Sequence, residues 1–443
     1  MSKENAAVQT DAIRDARSLG IPKFILLGFQ HVFAMFGATV LVPMITGLNV
    51  STTLLMAGLG TLLFHLLTKG KVPAFLGSSF AFLGGFAIVA PKLLDANGNA
   101  TIPNTEMLPY ACGGVVAAGL VYVLVAGLVK AFGVNKVMRF FPPIVTGPII
   151  ISIGLTLAPT AITNAQSNWL LAGIALATII ICNIWGKGMV KIIPILLGIG
   201  VSYLVALCMG VIDFSTVANA KLVAMAPITI AKFDANAIIT ILPIALAAMM
   251  EHIGDIAAIG ATTGNNYIAN PGLHRTLLGD GLATSVAGMF GGPANTTYGE
   301  NTGVLAMTKV YDPRVIRLAA FIAIALSFIP KFGEIVNTIP PAIIGGVSLV
   351  LYGMISAVGI RNVVENQVDF TKSRNLIIAA VILVSALGFG SDGLTFSVFG
   401  ASVKLSGLAI AAIAGILLNA VLPGNDYEFG KDLKGDTAAS LQL

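Results

Sequence analysis

The stretch AMMEHIGDIAAIGATTG, residues 248–264, is apolar enough to help cross a bilayer, yet it carries Glu251, His252 and Asp255. Ionisable side chains are costly in hydrocarbon, so within a membrane segment they indicate a functional site. Glu251 and Asp255 are one helical turn apart and share a helix face. Repulsion between two such carboxylates favours a proton on one of them near neutral pH. His252 points to another side, where packing or an interhelical hydrogen bond is the favoured interpretation.

The whole chain has the composition of an integral membrane protein. Of its 443 residues, 56% are hydrophobic and 10% are charged, and its mean hydropathy is +0.91, whereas soluble domains carry about 25% charged residues. One helical crossing needs about 20 apolar residues. We therefore predict an all-α polytopic membrane protein with fourteen transmembrane segments, roughly at 24–46, 51–68, 73–91, 109–132, 142–160, 168–185, 190–211, 237–258, 276–292, 296–308, 314–330, 339–357, 375–390 and 404–422.

The distribution of basic residues supports this arrangement. A net charge of +5 could suggest a nucleic-acid partner, but the Lys and Arg residues are concentrated on one side of the predicted membrane. Cytoplasmic loops carry such an excess, so we predict a multi-pass protein of the plasma or inner membrane, with both termini cytoplasmic and no nucleic-acid partner. Of the 25 Lys and Arg residues, only five then lie outside: Lys92, Lys221, Lys232, Lys331 and Lys404.

Three pairs of motifs recur in the same order in the two halves of the chain. They are QHVFAMFGAT (30–39) with EHIGDIAAIGAT (251–262), PAFLGSSFAF (73–82) with PANTTYGENTG (293–303), and PPIVTGPIIISIG (142–154) with PPAIIGGVSLVLYG (340–353). Each half then holds seven segments, and an odd number inverts the second half relative to the first. Inverted repeats with interrupted helices are typical of secondary transporters.

The third and tenth segments are the interrupted ones. Both start with proline and small or polar residues, at 73–82 and 293–301, and then become helical. We predict a short extended strand followed by a half-helix in each, since irregular backbone at membrane depth survives only inside protein or beside a cavity. The free N–H groups of two half-helices would then converge on a pocket suited to carbonyl oxygens or an anion.

Four carboxylates within the predicted segments have no Lys or Arg at mid-segment to neutralise them. Asp280 lies between Gly279 and Gly281, so a helix cap or kink is an equal alternative to a functional role. His31 occupies the place in the first half that His252 occupies in the second, and it could brace the pocket by hydrogen bonds. The four carboxylates are Glu251, Asp255, Asp280 and Glu300.

The motif ENTGVLAMTK, residues 300–309, resembles the signature of the nucleobase–ascorbate transporter family, also called nucleobase:cation symporter-2. QHVFAMFGATVLVP, PAFLGSSFAF, NPGLHR, NTTYGEN and GGVSLVLYG are similar to its bacterial uracil permease branch. The resemblance extends from about residue 20 to 422. It implies fourteen segments in a 7+7 inverted repeat and symport with protons. It also implies a homodimer that is surrounded by membrane lipids.

The resemblance also implies two structural domains, between which the substrate lies. The core domain contains segments 1–4 and 8–11, and the gate domain contains segments 5–7 and 12–14. The corresponding ranges are 1–20 (N-terminal tail), 21–133 (core), 134–212 (gate), 237–330 (core), 339–422 (gate) and 423–443 (C-terminal tail).

The family's functional residues map onto definite positions. Uracil presents two carbonyl acceptors and two N–H donors. By resemblance Glu251 and Glu300 accept from its N–H groups, while the backbone N–H groups of Phe80 and Gly299 donate to it. Tyr298 lines the pocket and Tyr352 faces it from the gate domain. Asp255 and Glu251 are the expected proton-coupling residues, and the supporting residues are His31, Ser79, Asn301 and Asp280.

Two departures leave the substrate open. Asp255 stands where the uracil branch has histidine, and both it and Asp280 resemble the xanthine and urate branch, whereas Glu300 resembles the uracil branch. We predict a proton-coupled symporter that imports uracil by alternating access, with a xanthine or purine symporter as the alternative. An anion exchanger or channel is disfavoured because the pocket carboxylates would repel an anion. No motif indicates an enzyme, a metal site or a cofactor other than the coupling proton.

Overall fold

The computed structural model describes residues 12–94, 100–390, 393–398, 401–424 and 427. Within these ranges the chain is mostly helical. Much of the two predicted tails, residues 1–11 and most of 425–443, lies outside the described residues.

The helices of the first half follow one another from the N-terminal end to residue 219. They are α1 (Ile21–Thr46), α2 (Val50–Leu67), α3 (Leu83–Val89), α4 (Leu108–Phe132), α5 (Val134–Met138), α6 (Pro143–Gln166), α7 (Trp169–Trp185), α8 (Met189–Ile192), α9 (Pro194–Cys208) and α10 (Ser215–Asn219), with 3-10 turns at Ala16–Leu19 and Phe80–Phe82.

The second half begins at residue 235. Its helices are α11 (Ala235–Ile241), α12 (Ile244–Thr263), α13 (Leu273–Met289), α14 (Gly299–Thr308), α15 (Pro313–Ser327), α16 (Pro330–Asn337), α17 (Pro341–Glu365), α18 (Ser373–Phe389) and α19 (Gly407–Val421), with a π turn at Ile268–Gly272.

Within the described residues, short strands form three antiparallel pairs. The pairs are β1 (Leu76–Ser78) with β4 (Asn295–Thr297), β2 (Leu93–Leu94) with β3 (Ala100–Ile102), and β5 (Leu394–Val398) with β6 (Ala401–Leu405). Only the first pair joins the two halves of the chain.

Polar residues just before several helices explain where those helices begin. A side-chain oxygen that accepts a first-turn N–H bond satisfies a donor that the helix itself leaves free. Such caps occur at Asn49 before α2, Asn168 before α7, Asp234 before α11, Asp312 before α15 and Ser406 before α19.

The described residues contain several apolar helices of membrane-spanning length. Five more apolar helices have 10 to 17 residues. The chain is a multi-pass membrane protein. The six helices of at least 18 residues are Ile21–Thr46, Val50–Leu67, Leu108–Phe132, Pro143–Gln166, Ala235–Thr263 (α11 with α12) and Pro341–Glu365.

Three local features differ from the predicted segments. The eighth segment is two helices that meet at Pro243, because proline cannot continue the helical hydrogen-bond ladder. The helix α16 forms after the eleventh segment and is bent by 85° from α15. The last helix begins at Gly407 rather than 404, because LTFSV and ASVKL form a hairpin. The mostly helical fold agrees with the prediction, and β1 and β4 lie in the two segments where extended strands were expected. The prediction did not include the pairs β2–β3 and β5–β6, so the chain is not purely α-helical outside those two segments.

The helices α6 and α17 pack with their backbones almost in contact. A Cβ atom at Gly154 would overlap the carbonyl oxygen of Tyr352, and one at Gly359 would lie 2.6 Å from the backbone nitrogen of Ile151. Small residues allow such close approach between membrane helices. The position of Tyr352 therefore depends on the absence of a side chain at Gly154.

Replacing Gly154 with Ala is expected to lower the midpoint of thermal unfolding in detergent, since overpacking of this kind costs about 1–3 kcal/mol. The matched control is Gly173→Ala on α7, where an added Cβ meets no heavy atom within 4 Å. There alanine should be neutral or stabilising by about 0.5–1 kcal/mol. Equal midpoints for the two variants would contradict the close packing of α6 and α17.

Candidate functional site

The strands β1 and β4 pair in the interior of the protein, and we call this strand pair the crossing. Leu76 pairs with Thr297, Gly77 with Thr296 and Ser78 with Asn295, and all six residues are buried. Two further backbone hydrogen bonds extend the pairing. The N–H of Ser79 donates to the carbonyl of Ala294 at 2.8 Å, and the N–H of Tyr298 donates to that of Phe75 at 3.0 Å.

Side chains from neighbouring helices complete the outer edges of this two-stranded sheet. The hydroxyl of Thr61 on α2 accepts the N–H of Leu76 at 2.9 Å. The hydroxyl of Thr284 on α13 donates to the carbonyl of Asn295 at 2.8 Å. Because buried backbone groups must find partners, these threonines allow strands of only three residues to persist at this depth.

Tyr298 on one side of the crossing hydrogen-bonds the strand on the other side. Its hydroxyl donates to the backbone carbonyl of Ser78 at 2.9 Å and lies 3.3 Å from the hydroxyl of Thr39. A Cβ atom at Gly77 would overlap the Tyr298 ring, so glycine is required opposite the ring. The side chain is 4% exposed. The hydroxyl of Tyr298, a residue predicted to line the pocket, is thus hydrogen-bonded within the protein.

Both interrupted segments start their helices without a capping side chain. Ser79 precedes the 3-10 turn Phe80–Phe82, which continues into α3, and Tyr298 precedes α14; neither provides a side-chain cap. First-turn N–H groups are then left for another acceptor. Gly299 is exposed although residues 291–298 before it are all buried. Its backbone therefore lies at the edge of an accessible space.

The carboxylates of Glu251 and Asp255 on α12 and of Glu300 in the first turn of α14 are each partly buried. In the described part of the chain none of them forms an ion pair with Lys or Arg. Glu251 and Glu300 repel each other electrostatically. The site is therefore rich in acceptors and attracts N–H donors or protons.

Asp255 lies next to the start of α14. Its Oδ2 accepts a hydrogen bond of 3.0 Å from the hydroxyl of Thr297. Its Oδ1 lies 3.6 Å from where a Cβ on Gly299 would be. One end of this carboxylate is thus held by β4, and the other faces the backbone predicted to receive substrate.

Asp280 is fully buried in the middle of α13, a continuous helix from Leu273 to Met289. It neither caps nor kinks that helix, so this alternative is wrong. Its Oδ2 lies 3.3 Å from Nδ1 of His252, which is also fully buried. The same Nδ1 is 3.3 Å from the hydroxyl of Thr297. His252 thus packs against polar groups of α13 and β4, although neither oxygen of Asp280 accepts a hydrogen bond from a described residue.

His31 and Asn301 connect α1 to the first turn of α14. The side-chain amide of Asn301 donates to the backbone carbonyl of His31 at 3.1 Å and contacts His31 Nδ1 at 3.1 Å. Both residues are 1% exposed. These contacts hold the first turn of α14 in place at Asn301, the residue after Glu300.

Phe80 and Tyr352 meet edge to face, with ring centroids 6.2 Å apart and an interplanar angle of 71°. Phe80 follows β1, whereas Tyr352 lies on α17. Elements from separate parts of the chain therefore meet beside the crossing. The predicted supporting residue Ser79 is buried, and its hydroxyl has no partner among the described residues.

Sequence reasoning missed the threonines at positions 61, 284 and 297. Thr297 lies inside the quoted motif PANTTYGENTG, but threonine is common in membrane helices and nothing in the sequence distinguished it. Only the fold shows that it joins Asp255 to His252. No group of three His, Cys, Asp or Glu side chains suited to a metal ion occurs among the residues that the structure describes.

A model of a permease family matches residues 22–391. The uracil permease of Bacillus caldolyticus is 43% identical over 427 residues, which cover 93% of this chain and 94% of that protein. The uracil permease of Bacillus subtilis (strain 168) is 40% identical over 419 residues, covering 90% and 92%. The chain belongs to the nucleobase–ascorbate transporter family. The resemblance seen in the ENTGVLAMTK signature is confirmed, and as a permease the protein is a transporter rather than an enzyme.

The fold also matches a solved membrane transporter outside this family. The transmembrane domain of the cyanobacterial bicarbonate transporter BicA aligns with a TM-score of 0.54 and 14% identity, covering 89% of this chain and 96% of that one. At this identity the likeness concerns the fold alone.

Replacing Asn301 with Asp is expected to destabilise the protein by about 1–3 kcal/mol, because a carboxylate would face the buried carbonyl of His31 in place of an amide donor. The measurement is thermal unfolding in detergent. Asn366→Asp is the matched control, since its amide likewise makes two polar contacts with a single residue, the two oxygens of Asn362, but at a half-buried site that water can solvate. Equal losses in both variants would contradict the proposed bracing of α14.

Proposed function

We propose that this family member is a proton-coupled symporter that imports uracil by alternating access. The observation that carries the proposal is the pairing of two acidic side chains, Glu251 and Glu300, that have no Lys or Arg partner among the described residues, with two uncapped helix starts, at Phe80 and Gly299. No cation in the described residues neutralises these acids. A neutral ligand with both N–H donors and carbonyl acceptors satisfies both halves of the site.

Uracil matches this pattern group by group. Its ring N–H groups donate to the carboxylates of Glu251 and Glu300, and its carbonyls accept from the backbone N–H groups of Phe80 and Gly299. A site that hydrogen-bonds a ligand in this way rejects analogues lacking those groups, because its own buried polar groups would be left unpaired. The rings of Phe80 and Tyr352 close the apolar side of the pocket.

Uracil is favoured over xanthine by the relatives. Both proteins reported above are named uracil permeases and align over nearly their full lengths. Asp255, which resembles the xanthine and urate branch, is compatible with uracil transport if its carboxylate carries the coupling proton and does not bind the base. Its contact with Thr297 holds it beside the pocket. An anion, as in the bicarbonate transporter of similar fold, would be repelled by the unpaired carboxylates.

Alternating access needs two bodies that move against each other. We assign fourteen segments in a 7+7 inverted repeat, with β1 and β4 at equivalent places in the two halves. This assignment is supported by Thr61 and Thr284, because the hydroxyl of each forms a hydrogen bond with the backbone of one of the two strands. We assign α6, α7, α9 and α17 to α19 to the gate domain. Its Tyr352 contacts Phe80 of the core domain, so motion of the gate domain would cover or uncover the site.

Coupling to protons is assigned to Asp255 and Glu251. They repel each other and Glu300, so not all three can remain ionised without a bound donor. A proton entering the pocket relieves this repulsion and favours binding of neutral uracil. The remaining assignments follow the positive-inside pattern and the family: both termini in the cytoplasm, a plasma or inner membrane location, and a homodimer.

The proposal is tested by uptake of labelled uracil into proteoliposomes under an inward proton gradient, with excess unlabelled xanthine in a parallel sample. We expect accumulation that an uncoupler abolishes and xanthine leaves unchanged. Accumulation of labelled xanthine without uracil would overturn the substrate assignment, and uptake insensitive to the uncoupler would overturn the coupling.

Glu300→Gln is expected to weaken uracil binding about tenfold or more, because hydrogen bonds to a charged group contribute about 1.5–3 kcal/mol. Glutamine would also direct a donor at the ligand's own N–H group. Titration calorimetry with uracil measures the change. Glu106→Gln, in an exposed loop, is the matched control and should bind normally. A Glu300→Gln affinity equal to that of the control would remove Glu300 from the site.

Asp255→Asn is expected to reduce gradient-driven accumulation more than uracil binding, since asparagine keeps a hydrogen-bonding side chain but cannot carry the coupling proton. Binding is measured in detergent and accumulation in proteoliposomes on the same preparation. Concentrative uptake at the wild-type level would exclude Asp255 from the coupling mechanism.

A further inference from the structure

A line of polar groups runs from the pocket into the protein interior. The hydroxyl of Thr297 is 3.0 Å from Asp255 Oδ2 and 3.3 Å from His252 Nδ1. That nitrogen is in turn 3.3 Å from Asp280 Oδ2. Three elements, α12, β4 and α13, supply the four residues. Asp255 is partly accessible, whereas the other three are at most 1% exposed.

The inner end of this line is closed. Nε2 of His252 has no partner in the described residues, and Asp280 has no other partner there than His252 Nδ1. Phe64 packs against the imidazole ring edge to face at 6.1 Å. A buried acid without a cation is costly, so the His252–Asp280 pair is stabilised when it holds an additional proton. That proton has one described polar exit, through Thr297.

The electrostatic partners of Asp280 and Asp255 among the described residues are acidic or neutral groups. Asp280 interacts with Glu251 and with Tyr122 on α4, and Asp255 interacts with Glu251, Glu300 and Asp280. The Tyr122 hydroxyl is buried without a partner in the part of the chain described. No Lys or Arg in that part forms an ion pair with His252, Asp255 or Asp280.

We propose that His252 and Asp280 form an internal store for the coupling proton, filled and emptied through the hydroxyl of Thr297. The inference rests on the proposed proton-coupled transport and adds to it where the proton resides while the domains move. Asp255 is then the entry group at the pocket, and the pair behind it is sealed from both aqueous sides.

The transfer is balanced in protons. Protonated Asp255 gives its proton to Thr297 Oγ1, whose own hydroxyl proton moves to Nδ1 of His252. Asp255 becomes ionised, Thr297 is unchanged, and neutral His252, which carried its proton on Nε2, becomes an imidazolium beside ionised Asp280. Before transfer the Nδ1 lone pair faces the Asp280 carboxylate, and relief of their repulsion drives the step. The reverse sequence returns the proton to Asp255.

The test compares Thr297→Val, which keeps the β-branched shape but removes the hydroxyl, with Thr297→Ser, which keeps the hydroxyl. Full-length protein in proteoliposomes is assayed for exchange of labelled against unlabelled uracil, which moves no net protons, and for gradient-driven accumulation. We expect the valine variant to retain exchange but to lose accumulation at least about tenfold, as for loss of a proton-transfer group. The serine variant should retain both activities.

His252→Gln is the second variant, because glutamine forms hydrogen bonds but cannot hold the proton; it should show the same split. Accumulation of uracil at the wild-type level in either variant would overturn the proposal that His252 and Asp280 store the proton. A parallel loss of exchange and accumulation in Thr297→Val would overturn it too, since that would indicate a structural or binding role. Failure of the wild-type protein itself to accumulate uracil under the gradient would instead overturn the proposed function.

Discussion

The antiparallel pairing of β1 with β4 is the constraint on which the rest of the site depends. Two chain segments cross at depth with extended backbone, and every strand residue is buried. Such backbone persists only if each N–H and C=O finds a partner. Thr61, Thr284 and Tyr298 provide the partners that three-residue strands cannot provide for each other. Once the crossing is held, two helix starts without capping side chains, at Phe80 and Gly299, follow closely after its two strands.

The electrostatics of the site follow from what surrounds this crossing. The helix starts offer partial positive charge, whereas Glu251, Asp255 and Glu300 offer negative charge that no Lys or Arg in the described chain balances. Buried charge without compensation is expensive. A proton, a neutral ligand with N–H donors, or both together lower that cost. In the proposed mechanism, the coupling of proton and nucleobase follows from the absence of a neutralising Lys or Arg among the described residues of the site.

Much of this could be read from the sequence because the deciding residues interrupt otherwise apolar segments. The proline and small residues at 73–82 and 293–301 predicted the strand and half-helix pairs, and the carboxylates of α12 marked it as a candidate site helix. What escaped prediction depends on contacts between distant segments. The pairing of His252 with Asp280, the bridging place of Thr297 and the use of the Tyr298 hydroxyl require the fold. The β5–β6 hairpin was missed because most of it lies between two predicted segments, which end at 390 and begin at 404.

The most direct test of the account is a crystal structure of the protein with 5-bromouracil, in which the anomalous scattering of bromine locates the base. We predict that the ring lies beside Phe80, with its N–H groups toward Glu251 and Glu300 and a carbonyl toward the start of α14. A bromine peak elsewhere, for instance in the cavity lined by Asn49, Thr52 and Thr105, with the crossing left empty, would contradict it.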